Sequence, residues 1–290
     1  MKQNYFDFII CGAGASGLLL LKAIREDSFF NEKSILIIEK EIKNVNDRTW
    51  SYWESPNGSF DSILSKKWSK ANFCSEDFDS DFDLNPYQYK MLRSAAFYQS
   101  IRNKYSKLKN TIFLHAEVKN IDSKNIMTEV ITSEGKFQSK KVFNSLFDPK
   151  PMINQKKYPV LQQHFVGWFI KTKKPSFDSS KVFFMDFNIP QVQETRFIYV
   201  LPIDKHNALV EYTLFSENLL HFDDYETGIK AYLDSKGITE LYQSFDYDTK
   251  HELWDNKEDV RKIVKKDKEV LPWKDFNKNM AVSIEYNLEY

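Results

Sequence analysis

Glycine is scarce in this chain, with 8 among 290 residues, and cysteine is scarcer, with two. Cys11 and Cys74 cannot build a disulfide framework, and neither has a partner for redox or nucleophilic work. The start MKQNYFDFII lacks the basic, then apolar, then small order of a secretory leader, so a reducing cytoplasm is expected. No apolar run approaches the roughly 18 residues of a spanning helix. Nothing is therefore expected to cross a bilayer, while contact with a membrane surface stays open. Net charge is absent too: 41 acids balance 41 bases, which removes the long-range field that gathers nucleic acid. Five scattered histidines give no ligand spacing, and no metal site is expected.

What the chain does hold is aromatic: 24 of its residues are phenylalanine. Such enrichment means a Phe-rich core or the lining of a long apolar tunnel. Its few glycines are also unevenly placed, three of them inside Gly12-Ala13-Gly14-Ala15-Ser16-Gly17. That segment lies between a short apolar run, Phe6 to Cys11, and LLLLKAI (Leu18 to Ile24), which reads as a buried helix. A second apolar strand, Ser34 to Glu39, follows. Continuous apolar strands are what a parallel sheet covered on both faces requires, so the expected class is doubly wound α/β.

Each part of the glycine segment has a task in holding a dinucleotide. Gly12 allows the tight turn, Gly14 lets backbone approach a pyrophosphate, and Gly17 lets helix and strand pack closely. The helix N-terminus attracts the phosphate charge, with Ala15 and Ser16 in its first turn. Glu39, 22 residues after Gly17, would accept hydrogen bonds from ribose hydroxyls, which favours FAD or NAD over NADP. The alternative is a tight turn in an α/β domain without a ligand.

Further along, Glu41 to Asn85 is read as a loop-rich excursion with short strands, and Tyr87 to Leu108 as one helix on the spacing of Met91, Leu92, Ala95 and Ile101. Thr111–Val118, Ile126–Thr132, Lys136–Phe137 and Lys141–Leu146 are expected strands. After Pro149 and Pro151, LQQHFVGWFIKT, KVFFMDF, RFIYVLPI and ALVEYTLF fit four strands of a largely antiparallel sheet. YETGIKAYLDSKG then reads as a helix capped by Gly237. The expected division is a cofactor domain over 1–55 and about 86–150, a substrate domain over about 56–85 and 151–245, and an atypical tail over 246–290.

Three further constellations stand out. Arg48 to Glu54 (RTWSYWE) carries Trp50 and Trp53, either as core and lid packing or against an apolar ligand. Asp186 and Glu211 are acids inside apolar strands, with Arg196 between them in sequence. Each acid points to solvent or sits in a cavity with a raised pKa. Arg93 is either a surface helix arginine or a residue near the cofactor.

Together DFIICGAGASGL, NDRTWSYWE, YKMLRSAAFYQSI, VFNSLF, VFFMDFNIPQ, RFIYVLP and ALVEYTLFS resemble the lycopene β-cyclase family of carotenoid synthesis, in its bacterial branch, from about Tyr5 to Leu220. The resemblance implies a Rossmann-like FAD fold of the glutathione-reductase type with an inserted, largely antiparallel sheet. It implies conversion of the ends of lycopene to β-ionone rings without net redox change, with reduced FAD required and NAD(P)H as reductant. Lycopene would arrive from a membrane, which makes peripheral contact with the cytoplasmic face an expectation.

On the family's motif of an apolar residue, Glu, a second acid and Thr, Glu211 inherits the role of catalytic acid, and Tyr212 stands where many members carry the second acid. Asp186 and Arg196 inherit supporting catalytic roles, orienting flavin, acid or strand, and Arg93 a place near the flavin. Trp50 and Trp53 become substrate-side residues that steady cationic carbon. The rivals are another FAD-dependent oxidoreductase, such as a monooxygenase or prenyl reductase, and a non-catalytic remnant. The family normally continues through a glycine-rich stretch that closes over the pyrophosphate. None follows Val270-Leu271-Pro272-Trp273 here, so a truncated or frameshifted end diverging after Tyr247 is expected.

Overall fold

The computed structural model describes residues 4–123, 126–146, 154, 156–158, 162–216, 218–241 and 286–289. The chain divides into two units, Met1–Asp47 with Ser94–Asp148, and Arg48–Arg93 with Pro149–Tyr290. The crossings fall at 47/48 and 93/94, not at the expected 55 and 86. Almost all of the atypical tail, 246–290, lies outside the described residues.

In chain order, β1 (Tyr5–Cys11), α1 (Ala15–Glu26) and β2 (Ile35–Glu39) open the first unit. The second unit then takes β3 (Thr49–Glu54), β4 (Lys66–Trp68), β5 (Lys70–Ser75), β6 (Phe78–Asp83) and β7 (Gln88–Arg93). The chain returns through α2 (Ser94–Tyr105), β8 (Thr111–His115), β9 (Val118–Asp122), β10 (Thr128–Thr132) and β11 (Gly135–Asn144). It goes on in the second unit with β12 (Gln162–Lys171), β13 (Lys181–Asp186), β14 (Thr195–Pro202), β15 (Asn207–Ser216), α3 (Phe222–Ser235) and β16 (Tyr286–Glu289).

The first unit's sheet runs β8-β2-β1-β11-β10-β9. Its first four strands are parallel and its last pairs antiparallel. Ile9, Ile10, Ile35, Ile37 and Ile38 are wholly buried, as the continuous apolar runs anticipated. α1 buries Gly17, Leu18, Leu21 and Ile24, one stripe of a helix. Because β2 and β11 flank β1 on opposite sides, the chain leaves β1 at the point where strand order reverses. That is where open α/β sheets bind ligands.

The second unit holds a sheet in the order β16-β12-β15-β14-β13-β5-β6 and a smaller one, β3-β7-β4. β12, β15, β14 and β13 pair antiparallel, the four strands expected from sequence. One face of the large sheet carries Val166, Trp168, Ile198, Val200, Val210 and Tyr212 under Tyr225, Ile229, Tyr232 and Leu233 of α3. Leu201, Leu209 and Val182 pack instead with Trp68, Tyr89 and Met91 of the small sheet. There Trp68 Nε1 donates to the Pro202 carbonyl at 3.1 Å. Gly237, with φ of 70°, closes α3 as expected.

The segment read as one helix over Tyr87 to Leu108 is instead β7 followed by α2. β7 is the middle strand of the small sheet, paired to β3 and to β4, so Tyr89, Met91 and Leu92 are buried by sheet neighbours that no local spacing reveals. Likewise Lys136–Phe137 and the expected strand from Lys141 as far as Asn144 lie on one long strand, β11, which bridges the parallel and antiparallel parts of its sheet.

Candidate functional site

In the first unit the glycine turn sits at the carboxyl end of β1. Gly12 has φ of 99°, open to glycine and strained for other residues. Gly17 packs α1 onto the turn so closely that a Cβ there would lie 2.1 Å from the Gly12 carbonyl oxygen. Gly14 differs: a Cβ on it would meet nothing within 4 Å and its φ is an ordinary −72°. The protein itself therefore places no demand for glycine at 14, and the clear space beside it suits a ligand that must reach the backbone. No acid stands in the first turn of α1 and no side chain caps it, so its amide groups are open to an anion.

Glu39 ends β2 and turns to the same loop. Its Oε2 accepts from the Ala13 amide at 2.7 Å and its Oε1 from the Glu41 amide at 3.0 Å. Beside it lies a cavity of about 200 Å³ lined in part by Ile37, Ile42, Arg102, Phe113 and His115. Ser145 Oγ donates across to the Cys11 carbonyl at 2.8 Å and ties β11 to the turn. These residues fit a dinucleotide: open amides for the pyrophosphate, a carboxylate for the ribose, and a partly aromatic cavity next to it.

In the second unit the sheet separates residues that the sequence had grouped. Glu211 occupies the middle of β15, opposite Gly167 of β12 and Tyr199 of β14. By strand alternation it shares a face with Leu209 and Thr213, the face opposite Val210, Tyr212 and α3. Around it on that face stand Phe165 and Phe169 of β12 and Phe197 and Tyr199 of β14. Ring contacts carry on from there: Phe197 to Tyr199 at 5.0 Å, Tyr199 to Phe184 at 5.8 Å, Phe184 to Trp53 at 5.2 Å. Glu211 is the one carboxylate among these facing positions.

Asp186 and Arg196 lie on the α3 side. Asp186 is fully buried and accepts from Tyr232 Oη at 2.8 Å, from the Asn188 amide at 2.9 Å and from Lys236 Nζ at 2.9 Å. Burial pushes its pKa up, but Lys236, the Asn188 amide, Tyr232 and Cys74 outweigh burial and hold it below the usual carboxylate value. Arg196 is clasped by Glu194 and donates to Tyr212 Oη at 3.3 Å. Asp186 thus anchors α3 and Arg196 anchors Tyr212, and the structure brings neither to Glu211. Tyr212 also points to α3, where a Cβ on Gly228 would come within 2.7 Å of its ring. An acid at 212 would face away from Glu211, so the motif's two neighbouring positions cannot form a carboxylate pair on one face.

Trp50 and Trp53 are an odd number of residues apart on β3 and face opposite ways. Trp53 joins Tyr89 at 4.8 Å and Phe184 in the aromatic series. Trp50 stands on the side of Glu54 and the buried Lys90, whose Nζ donates to Glu54 at 2.9 Å and to the Ser55 carbonyl at 3.0 Å. Arg93 is not on a surface helix: it ends β7 and stacks over the Phe169 ring at 4.2 Å, which brings it to the Glu211 face. Among the described residues no group of three or more His, Cys, Asp or Glu could hold a metal, and no helix is long and apolar enough to cross a membrane.

Sequence reasoning passed over Gly167, Phe184 and Tyr199, and met Thr213 only as the last position of the acidic motif. Gly167 had a visible signal, as the one glycine between Gly135 and Gly228 and in the interior of an apolar strand. Thr213 is buried, and its Oγ1 has no hydrogen-bond partner among the described residues.

A dinucleotide-type turn on a parallel sheet, interrupted by a largely antiparallel unit, defines the glutathione-reductase type of α/β fold, and solved proteins share it. A geranylgeranyl bacteriochlorophyll reductase-like protein from Thermoplasma acidophilum superposes with a TM-score of 0.58 at 12% identity, over 83% of this chain and 65% of that one. A flavoprotein/dehydrogenase from Cytophaga hutchinsonii gives 0.54 at 12%, with coverage of 83% and 65%. A tryptophan halogenase from Shewanella frigidimarina gives 0.55 at 11%, with 83% and 62%. The chain spans less than two thirds of the length of each. No curated protein matches it significantly. The family model described as lycopene cyclase protein matches residues 7–243, and the chain belongs to that family.

Proposed function

We propose that the protein is an FAD-dependent lycopene β-cyclase, with Glu211 as its proton donor. The observation that carries this reading is the placement of Glu211, the carboxylate on a sheet face that it shares with Phe165, Gly167, Phe169, Phe197, Tyr199, Leu209 and Thr213. The family match supports the substrate class.

Glu211 adds its proton to the terminal trisubstituted alkene, leaving a tertiary cation. The next double bond attacks it and closes a six-membered ring, which moves the positive charge to a ring carbon. Loss of a proton from the neighbouring carbon, back to the Glu211 carboxylate, yields the β-end. Atoms and electrons balance without an oxidant. Tyr199, Phe197 and Phe184 offer electron-rich faces to the travelling charge, and the apolar wall excludes water that would quench it. Gly12, Gly14, Ala15, Ser16 and Gly17 would hold the pyrophosphate of FAD, Glu39 its ribose, and Arg93 would stand toward the flavin. When bound and reduced, FAD supplies an anionic, electron-rich ring system that stabilises positive charge. NAD(P)H is the proposed reductant, and the polyene is drawn from a membrane that the protein touches peripherally.

The test is anaerobic incubation of the purified chain with lycopene in liposomes, FAD and NADPH. β-Carotene or γ-carotene formation, abolished by Glu211→Gln with FAD content intact, is expected. Unchanged cyclisation by Glu211→Gln, or hydroxylated or saturated products, would overturn the reading.

A further inference from the structure

We propose that Gly167 is the positioning residue for the Glu211 carboxyl, a role that rests on Glu211 being the proton donor. A glycine in the interior of a ten-residue strand is unfavourable, since it gives up side-chain packing and costs backbone entropy. Nothing in the backbone calls for it here, because Gly167 is not among the glycines of positive φ. Its neighbours on the same face, Phe165 and Phe169, are large.

The reason for glycine lies across the strand pair. A Cβ at 167 would stand 2.8 Å from Glu211 Cγ, 3.1 Å from Leu209 Cδ1 and 3.3 Å from Glu211 Oε1. The Glu211 side chain therefore lies against the bare backbone of β12 at Gly167. Gly167 lies between Phe165 and Phe169 on this face of β12, and the Arg93 guanidinium covers the Phe169 ring. A side chain at 167 presses on Cγ and Oε1 of Glu211 and displaces the carboxyl. The proton then arrives at the wrong place while the binding surface of the polyene and the FAD loop stay as they were. Displacement of a reacting group by about 1 Å lowers rate by up to about a hundredfold.

Two measurements on Gly167→Ala test this. In the cyclisation assay, kcat falls about 10- to 100-fold, with KM for lycopene and FAD per chain close to wild type. In a thermal double-mutant cycle with Glu211→Ala, Gly167→Ala lowers the melting temperature when Glu211 is present, and leaves it unchanged or raises it when Glu211 is truncated. A Gly167→Ala chain that folds only in the Glu211→Ala background supports the proposal equally. Wild-type kcat in Gly167→Ala, or additive melting shifts, would overturn it. Full activity of Glu211→Gln would show instead that the proton-donor reading itself is wrong.

Discussion

Tyr232 on α3 donates its phenolic hydrogen to the fully buried Asp186 of β13 at 2.8 Å, and Lys236, just past the end of the same helix, completes the clasp at 2.9 Å. This couples a helix to the sheet through a charge that cannot reach water. Asp186→Ala leaves the buried Tyr232 hydroxyl and the Asn188 amide without their acceptor, while the exposed Lys236 turns to water, and is expected to cost about 2 to 3 kcal/mol. Tyr232→Phe removes one hydrogen bond to a charged group and costs about 2 kcal/mol. Urea unfolding checks both. Since its folded pKa is depressed, Asp186 contributes stability above the unfolded carboxylate pKa and loses it as pH falls through the folded value.

A second buried link gives a different pH signature. Ser216 donates to the Asn218 carbonyl, so its oxygen accepts from His164 Nε2 at 2.8 Å, and His164 Nδ1 accepts from the Tyr225 hydroxyl, which receives the Leu220 amide. Burial lowers the His164 pKa to about 4, so the ring is neutral in the fold. Above the unfolded histidine pKa of about 6.5 the full stability is present, and between there and 4 the unfolded chain binds the extra proton. Up to about 3 kcal/mol is lost across that window. Urea midpoints from pH 7 to pH 4 are expected to fall more steeply for wild type than for His164→Gln, and parallel slopes would refute the assignment.

Gly14 and Gly17 separate binding from folding. Gly17→Ala drives a methyl group into the Gly12 carbonyl and is expected to unfold or strongly destabilise the first unit. Gly14→Ala meets no atom, so melting stays at or slightly above wild type. If the pyrophosphate lies against this residue, FAD affinity falls about tenfold or more by fluorescence titration, on the order of one lost close contact worth 1.4 kcal/mol.

Thr213→Val replaces a buried hydroxyl that is unpaired among the described residues by a methyl group of the same shape. The ligand-free protein is expected to gain about 1 kcal/mol, read from the urea midpoint. A loss of stability would mean that the hydroxyl has a partner in solution.

Sequence reading reached furthest where the signal was local. β1, the glycine turn, α1 and Glu39 are one short contiguous stretch in which apolar runs and turn chemistry agree, and the structure follows them closely. The four strands β12 to β15 were legible for the same reason. β7 was not, because Tyr89, Met91 and Leu92 fit a helical stripe as well as a central strand, and only β3 and β4 on either side decide it. Glu211 was singled out through its motif, and the structure places Asp186 and Arg196 on the opposite side of the sheet, where they anchor α3 and Tyr212. A run of residues close in sequence is divided between two faces, and a bulge within β13 shifts its register before Asp186. Gly167 went unnoticed because its purpose lies in a neighbour 44 positions away, aligned only by the register of β12 and β15.

The alternation along β15 has a practical consequence for anyone scanning it. Leu209, Glu211 and Thr213 face one way, while Val210, Tyr212 and Leu214 face the other into the packing under α3. On the proposed function, Glu211→Gln lowers turnover with the folded protein kept, whereas substitutions at Val210, Tyr212 and Leu214, and at Leu209 packed against Trp68, Tyr89 and Met91, lower the amount of folded protein. Colony colour in a carotenoid-producing host would merge them. Soluble yield scored beside product separates the two effects position by position.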